Sequence, residues 1–121
     1  MIGIDLVSID RIENLVKKYQ KKFLQRFLNK SEINLVSTNN GYNIQRIAGF
    51  YASKEALSKA FGCGIGARLN FHHIKIQKNS NNSPNIKLTK YLKKEFKVKK
   101  INISISHDKD YAIATALIKY K

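Results

Sequence analysis

The segment from Tyr42 to Phe61 places the strongest limit on what this chain can fold into. Ile44, Ile47, Ala48, Tyr51 and Ala52 recur at the 3.6-residue helical period and mark a buried stripe. Gly62 then ends the helix as a left-handed cap. Gly49 lies inside the helix, where glycine costs about 1 kcal/mol relative to alanine, which predicts that another backbone approaches closely there. A helix of this length in the middle of 121 residues has to be central to the core.

The flanking segments supply what packs on it. Met1–Val7 alternates, with Ile2, Ile4 and Leu6 on one side and Gly3, Asp5 and Val7 on the other: a strand with one apolar face and a carboxylate opposite. Ser8 can cap a helix over Ile9–Phe23, and Asn29 with Glu32 forms a capping box for a short helix to about Val36. Residues 37–41 read as a polar loop, 61–66 as a glycine-rich exit, and Phe71–Lys78 and Asn85–Leu88 as strands joined by a turn. Thr89 can cap a basic helix over Lys90–Phe96. Two further strands, Ile101–Ser106 and Tyr111–Lys119, follow around the turn at His107–Asp110. The order β-α-α-α-β-β-α-β-β predicts one α+β domain over residues 1–121.

Charge and cysteine content narrow the function classes. Twenty-three Lys and Arg stand against eight Asp and Glu, a net charge of +15, which favours an acidic partner: nucleic acid, a phosphorylated small molecule, an acidic protein or an anionic membrane. The lysines cluster at Lys17, Lys18, Lys21 and Lys22, and again from Lys87 to Lys100. Cys63 is alone, which excludes an internal disulfide framework and a multi-cysteine zinc site. No apolar run reaches a membrane span and no secretory signal is visible, so the expected location is the cytoplasm.

Three positions carry candidate chemistry. Asp5 interrupts an apolar strand; it is either a salt-bridged strand residue or a ligand for a hard cation, since Mg²⁺ takes one or two protein carboxylates and completes its shell with water and phosphate. Glu55 and Lys59 are four residues apart on one helix face, the spacing of an ordinary surface ion pair. They lie in the last turns of the central helix, however, just before Gly62, Gly64 and Gly66, whose backbone N–H groups can approach an anion. His107 follows a strand bearing Ser104 and Ser106, and an imidazole with a serine hydroxyl makes a donor set for phosphate oxygens. His72 and His73 read as strand residues without such company, and Cys63 as a small loop residue.

Gly3-Ile-Asp5, Phe50 to Gly66 and Ser104-Ile-Ser-His107, with Arg26–Glu32 ahead of the central helix, together resemble the 4′-phosphopantetheinyl transferases. Within that family they resemble the short bacterial holo-acyl-carrier-protein synthases, nearly end to end and in order. The resemblance implies a small antiparallel sheet packed with helices, assembled as a homotrimer with active sites between subunits. It implies transfer of the phosphopantetheine arm of coenzyme A to a serine of acidic apo acyl carrier protein, leaving adenosine 3′,5′-bisphosphate, for fatty acid biosynthesis. By the same resemblance Asp5 and Glu55 are Mg²⁺ ligands and Lys59 acts on the transferring phosphate. Gly62 and Gly64 bring the chain close to the coenzyme's phosphates, and Ser106 and His107 hold its nucleotide end. Arg11, Lys18 and Lys21 then receive the carrier. The proton acceptor stays open between Glu55 and a metal-associated water.

Two residues depart from the family pattern. Phe50 stands where many relatives have arginine, with Arg46 one turn earlier as a substitute, and Cys63 stands between the glycines where a hydroxyl residue is common. The partners expected are coenzyme A and the carrier protein, with neither nucleic acid nor membrane. The rivals are a basic nucleic-acid-binding module and a different Mg²⁺-dependent nucleotide transferase or hydrolase.

Overall fold

The computed structural model describes residues 1–121. The central helix, α4 (Ile44–Phe61), forms within two residues of its expected bounds. The Asn43 side chain accepts from the Arg46 N–H at 3.0 Å at its start, and Gly62 closes it at φ 81°. Burial extends around most of the helix rather than along one stripe, taking in Ile47, Ala48, Phe50, Ala52, Ala56, Leu57 and Ala60. The reason is tertiary: a three-stranded sheet covers one side, while α1 (Ile9–Tyr19) and α3 (Lys30–Val36) cover others.

That sheet is antiparallel in the order β1-β7-β6, from β1 (Ile2–Ser8), β6 (Val98–His107) and β7 (Tyr111–Tyr120). The expected α+β architecture is therefore present. β7 turns Ala112, Ala114 and Ala116 toward the helix, small side chains that let it sit low on the sheet. The closest backbone approach falls at Gly3, where a Cβ would land on the carbonyl oxygen of Ala56. At Gly49, where it was expected, the neighbour is instead the Ile105 side chain, whose Cγ2 would lie 2.9 Å from an added Cβ. α4 thus crosses the sheet from β6 at Gly49 to β1 at Ala56.

An apolar strand face ordinarily turns inward, but β1 does the reverse. Gly3 and Val7 are buried and Asp5 is half-buried against α4, while Ile2, Ile4 and Leu6 are exposed. The strand register extends this outer face into three rows: Ile2, Leu117 and Asn102; Ile4, Thr115 and Ser104; Leu6, Ile113 and Ser106.

At the N-terminal side, Ser8 caps α1 by accepting from the Arg11 N–H at 3.2 Å. The helix stops at Tyr19, short of the expected Phe23, because Gln20 adopts φ 50° and redirects the chain into α2 (Lys21–Gln25). Phe23 and Leu24 are buried from this second helix. Residues 37–41, expected as a loop, and Tyr42, expected to open the central helix, instead include a minimal hairpin of β2 (Ser37–Thr38) and β3 (Gly41–Tyr42). Phe71–His73 form a 3₁₀ turn, so only β4 (Ile74–Lys78) is strand, paired with β5 (Pro84–Leu88) in a separate hairpin. His72 and His73 accordingly lie in the turn; the His72 Nδ1 contacts Asn29 Oδ1 at 2.7 Å. α5 (Lys90–Phe96), capped by Thr89, links the hairpin to β6.

One sealed ion pair ties these parts together. Lys54 Nζ donates to Glu32 Oε1 at 2.8 Å and to the carbonyls of Phe27 at 2.7 Å and Phe71 at 3.0 Å. Glu32 also accepts from the N–H of Asn29 at 2.6 Å, closing the capping box, and from the N–H of Ile76 in β4 at 2.8 Å. Every buried polar atom of the pair has a partner, the condition under which a buried charge is tolerated.

Candidate functional site

The contact of β1 with the last turns of α4 builds the first part of the site. Asp5 occupies the middle of β1 on the face toward α4, and Lys59 Nζ donates to Asp5 Oδ1 at 2.9 Å and to the Ile4 carbonyl at 3.2 Å. Glu55, one turn before Lys59, faces the same corner. Burial pushes its carboxyl above the ordinary 4.5, and the Asp5 charge adds to that, while Lys59 and the Tyr51 hydroxyl pull the other way. Lys59 is held above its usual 10.5, first by its bond to Asp5. Two carboxylates thus share a corner with one half-exposed ammonium, and the charge of Asp5 raises the Glu55 carboxyl.

The donor chemistry of this corner fits a hard divalent cation. No cluster of three or more His, Cys, Asp or Glu exists in the chain, so a protein-only cage is absent. Two carboxylates beside open surface are what Mg²⁺ takes when phosphate and water complete its shell, and a cation between them relieves their mutual repulsion.

A second part lies on the other flank of α4. A cavity of about 230 Å³ is lined by Arg46, Gly49 and Phe50 of α4, Lys78 and Pro84 of the hairpin, and Ile105 and His107 of β6. Its charged residues are cationic. Burial and the Arg46 charge both lower the Lys78 ammonium, so the cavity gathers positive charge that an anion would offset. Arg46 also donates to the Leu35 carbonyl at 2.9 Å, which holds its side chain near α3. Arg46 and Phe50 thus line the same cavity, with Phe50 buried at its wall. Lys78 and Pro84 were not singled out from sequence. Their only signal was a lysine ending one strand and the chain's single proline opening the next.

The structure sorts the remaining expected residues. Ser106 does not join His107: successive strand residues face opposite sides, and Ser106 lies on the outer sheet face in a row with Ile113. Gly62 and Gly64 have open space around them and positive φ of 81° and 67°. Their N–H groups are taken by the Lys59 and Ser58 carbonyls, so they close the helix end and are not free to bind an anion. Cys63 is exposed. Arg11 and Lys18 sit on α1 and Lys21 on α2, so the basic face spans a helix break. Beside it, Arg11 and Arg26 border a mostly apolar cavity of about 360 Å³ that Leu15, Phe23, Phe27 and Tyr51 help to line. Within one chain, Asp5, Glu55 and Lys59 come together and His107 does not join them.

A small mixed fold with an acid pair and a lysine at a strand–helix corner is compatible with phosphate chemistry, and comparison with known proteins defines the class. A model of the 4′-phosphopantetheinyl transferase superfamily matches residues 1–116, and the chain belongs to this family. It is 49% identical over 119 residues to a holo-[acyl-carrier-protein] synthase of Sulfurimonas denitrificans, covering 98% of this chain and 94% of that protein. The crystal structure of the Helicobacter pylori holo-[acyl-carrier-protein] synthase in complex with coenzyme A superposes with a TM-score of 0.92 at 48% identity, covering 98% of this chain and 100% of that one. The Neisseria meningitidis holo-[acyl-carrier-protein] synthase gives a TM-score of 0.86 at 28% identity, over 98% and 96% of the two chains. The chain is therefore an enzyme of the phosphopantetheinyl transferase kind, and the motif resemblance holds along its length.

Proposed function

We propose that this enzyme transfers the 4′-phosphopantetheine arm of coenzyme A to a serine hydroxyl of an acidic apo acyl carrier protein, with Mg²⁺, in the service of fatty acid biosynthesis. The observation that carries the reading is the corner where Asp5, Glu55 and Lys59 converge from β1 and α4. Asp5 and Glu55 would hold the Mg²⁺, which supplies charge neutralisation on the diphosphate as the bond to the leaving phosphate breaks. Lys59, with its side chain 53% exposed, can turn from Asp5 to a phosphate oxygen at little desolvation cost. The cationic cavity of Arg46, Lys78 and His107 suits the nucleotide end and its 3′-phosphate. The serine proton passes to a base in the same corner; Glu55, whose burial strengthens it as a base, is one candidate.

The two parts of the site sit on opposite flanks of α4, which favours a homotrimer in which His107 of one chain faces Asp5 and Glu55 of the next. The exposed apolar rows of the outer sheet face, with Ile2, Ile4, Leu6 and Leu117, supply a surface for such an assembly. The carrier's acidic face would lie along Arg11, Lys18 and Lys21, with an apolar side chain entering the cavity between α1, α2 and α4. Charge complementarity of this kind chiefly speeds encounter and sets orientation. Residues 1–121 are read as one transferase domain, a reading that the family match over residues 1–116 supports. No helix is long and apolar enough to cross a membrane, in keeping with a cytoplasmic enzyme.

The test is carrier loading. Apo carrier protein incubated with coenzyme A, Mg²⁺ and the enzyme gains the mass of the phosphopantetheine arm, and the bisphosphate is released. A chelator in excess stops both, and added Mg²⁺ restores them. Absence of loading by well-folded enzyme, or loading indifferent to chelator, would overturn the reading.

A further inference from the structure

The carboxylate corner carries a cation of its own. Lys59 Nζ donates to Asp5 Oδ1 at 2.9 Å and to the Ile4 carbonyl at 3.2 Å, so two of its three donors are committed to β1. The Asp5 side chain beneath it is mostly covered, and little of that carboxylate is left to another ligand while Lys59 stays in place. A doubly charged ion approaching Asp5 meets an oxygen that is already bonded and a positive charge at contact distance. The acid pair is therefore partly neutralised at rest by a residue of the same chain.

Lys59 is held there loosely. Its side chain is half-exposed, it leaves α4 from the last turns, and both of its bonds are open to solvent. An ion pair of that kind contributes little and is readily exchanged. A diphosphate entering the corner offers Lys59 oxygens bearing more charge than one carboxylate does, and an ammonium on a flexible stem can follow them. When Lys59 moves to those oxygens, Asp5 Oδ1 is released and the competing positive charge leaves the carboxylate.

We propose that Lys59 gates the acid pair. Bonded to Asp5, it makes Asp5 and Glu55 a poor site for a free divalent cation; drawn away by a diphosphate, it opens them. The site thereby selects a cation that arrives together with a diphosphate. The assignment of the pair as a metal site, and of the diphosphate as that of coenzyme A, rests on the function proposed above. Because the two binding equilibria are linked, the metal must tighten the coenzyme by the factor by which the coenzyme tightens the metal, and Lys59 supplies part of that factor.

The experiment uses Lys59→Met, which keeps an apolar stem and removes the ammonium, in full-length enzyme shown by thermal melting to be folded. Mn²⁺ binding is followed by electron paramagnetic resonance without coenzyme or carrier, at about pH 8, where both carboxylates are ionised. Its affinity is expected to rise about five- to tenfold over wild type. Most of the gain is expected to persist in about 0.5 M salt, since a contact with a mostly covered carboxylate is screened far less than a distant charge. Calorimetry of coenzyme A binding with and without Mg²⁺ then gives the coupling, which is expected to be about five- to tenfold smaller in Lys59→Met, because the substitution removes the competition. Mn²⁺ affinity in Lys59→Met no higher than in wild type overturns the proposal, as does a gain abolished by salt or an undiminished coupling. Carrier loading by wild type alongside any of those results would sink the gate and leave the transferase reading standing. Tighter Mn²⁺ binding and smaller coupling in Lys59→Met, with no loading by wild type, would sink the transferase reading and leave the gate supported.

Discussion

Two lysines on α4 each close on a carboxylate brought by another element, at almost the same distance. Lys54 meets Glu32 of α3 at 2.8 Å, and Lys59 meets Asp5 of β1 at 2.9 Å. The first pair is wholly enclosed, with both side chains at 0% exposure, and both its atoms and its neighbours' are satisfied. The second leaves the lysine 53% and the aspartate 13% exposed, with Glu55 alongside. Separation alone therefore does not distinguish a purely structural pair from one proposed to take part in the reaction. What distinguishes them is whether the ammonium has donors left to offer and a path by which to offer them. All three Lys54 donors are engaged by protein oxygens, whereas Lys59 stands at the surface and can exchange partners.

The largest effect expected from breaking this contrast is on the sealed pair. Lys54→Met strands Glu32 without its cation in a dry site and releases the Phe27 and Phe71 carbonyls. Removing one partner of a buried pair costs about 3–5 kcal/mol, a large part of a domain's usual stability of about 5–15 kcal/mol. Denaturant unfolding would measure it. A loss under about 1 kcal/mol would mean that water reaches the site and that the pair is not a clamp. In the exposed pair, by contrast, Lys59→Ala is expected to cost at most about 1 kcal/mol of stability, because solvent screens it.

Activity should reverse that ranking. Asp5→Asn and Glu55→Gln keep the shape of each side chain but remove the charges that would hold the cation. Carrier loading is expected to fall at least about a hundredfold in each, equivalent to about 2.7 kcal/mol of barrier, while the unfolding midpoint stays near that of wild type. Lys59→Ala should lose about tenfold, since a point charge on the phosphate is one contribution among several. Near-normal turnover in Asp5→Asn would falsify the assignment of this corner as the reacting centre.

How much of this the sequence disclosed follows from what each signal encodes. Caps are local, so the Gly62 stop, the Asn29–Glu32 box and the Ser8 and Thr89 starts all stand where they were expected. The acid–lysine corner was legible because Glu55 and Lys59 share a helix face and Asp5 is an anomaly in its strand. What β1 faces was not. Alternation identifies an apolar face but not the surface that covers it, and Gly3 faces α4 because only a missing side chain admits the Ala56 carbonyl. The break at Gln20 carries no glycine or proline to announce it; burial of Phe23 and Leu24 from α2 accounts for it. Ser106 and His107, adjacent in sequence, were read as partners although a strand sends neighbours to opposite faces. Tyr51, Lys78 and Pro84 gained meaning only once the core had brought remote segments to them.

Of smaller effect are the basic residues that the proposed carrier meets. Lys18→Glu and Lys21→Glu are expected to raise the carrier KM severalfold and leave coenzyme A binding unchanged. The difference from wild type should shrink as salt approaches the point where screening covers the distance between charges. Parallel losses of carrier and coenzyme use would instead indicate damage to the fold.

The subtlest contrast between the two pairs is in pH. Burial first, then the Asp5 charge, raises the Glu55 carboxyl, so it takes up a proton at a higher pH than a free glutamate does. A bound cation requires the ionised form. Mn²⁺ affinity should therefore fall, as pH drops, through a midpoint above the ordinary 4.5. For stability the sign is opposite: the folded chain holds this proton more tightly than the unfolded chain, so the contribution is present at low pH and lost as pH rises through the folded value. Lys59 opposes the shift, and Asp5 reinforces it. Lys59→Met should therefore move the Mn²⁺ midpoint further up. The same titration on Lys18→Glu, remote from the corner, should leave the midpoint in place. An unmoved midpoint in Lys59→Met would show that the ammonium is engaged with Asp5 alone and has no share in the state of Glu55.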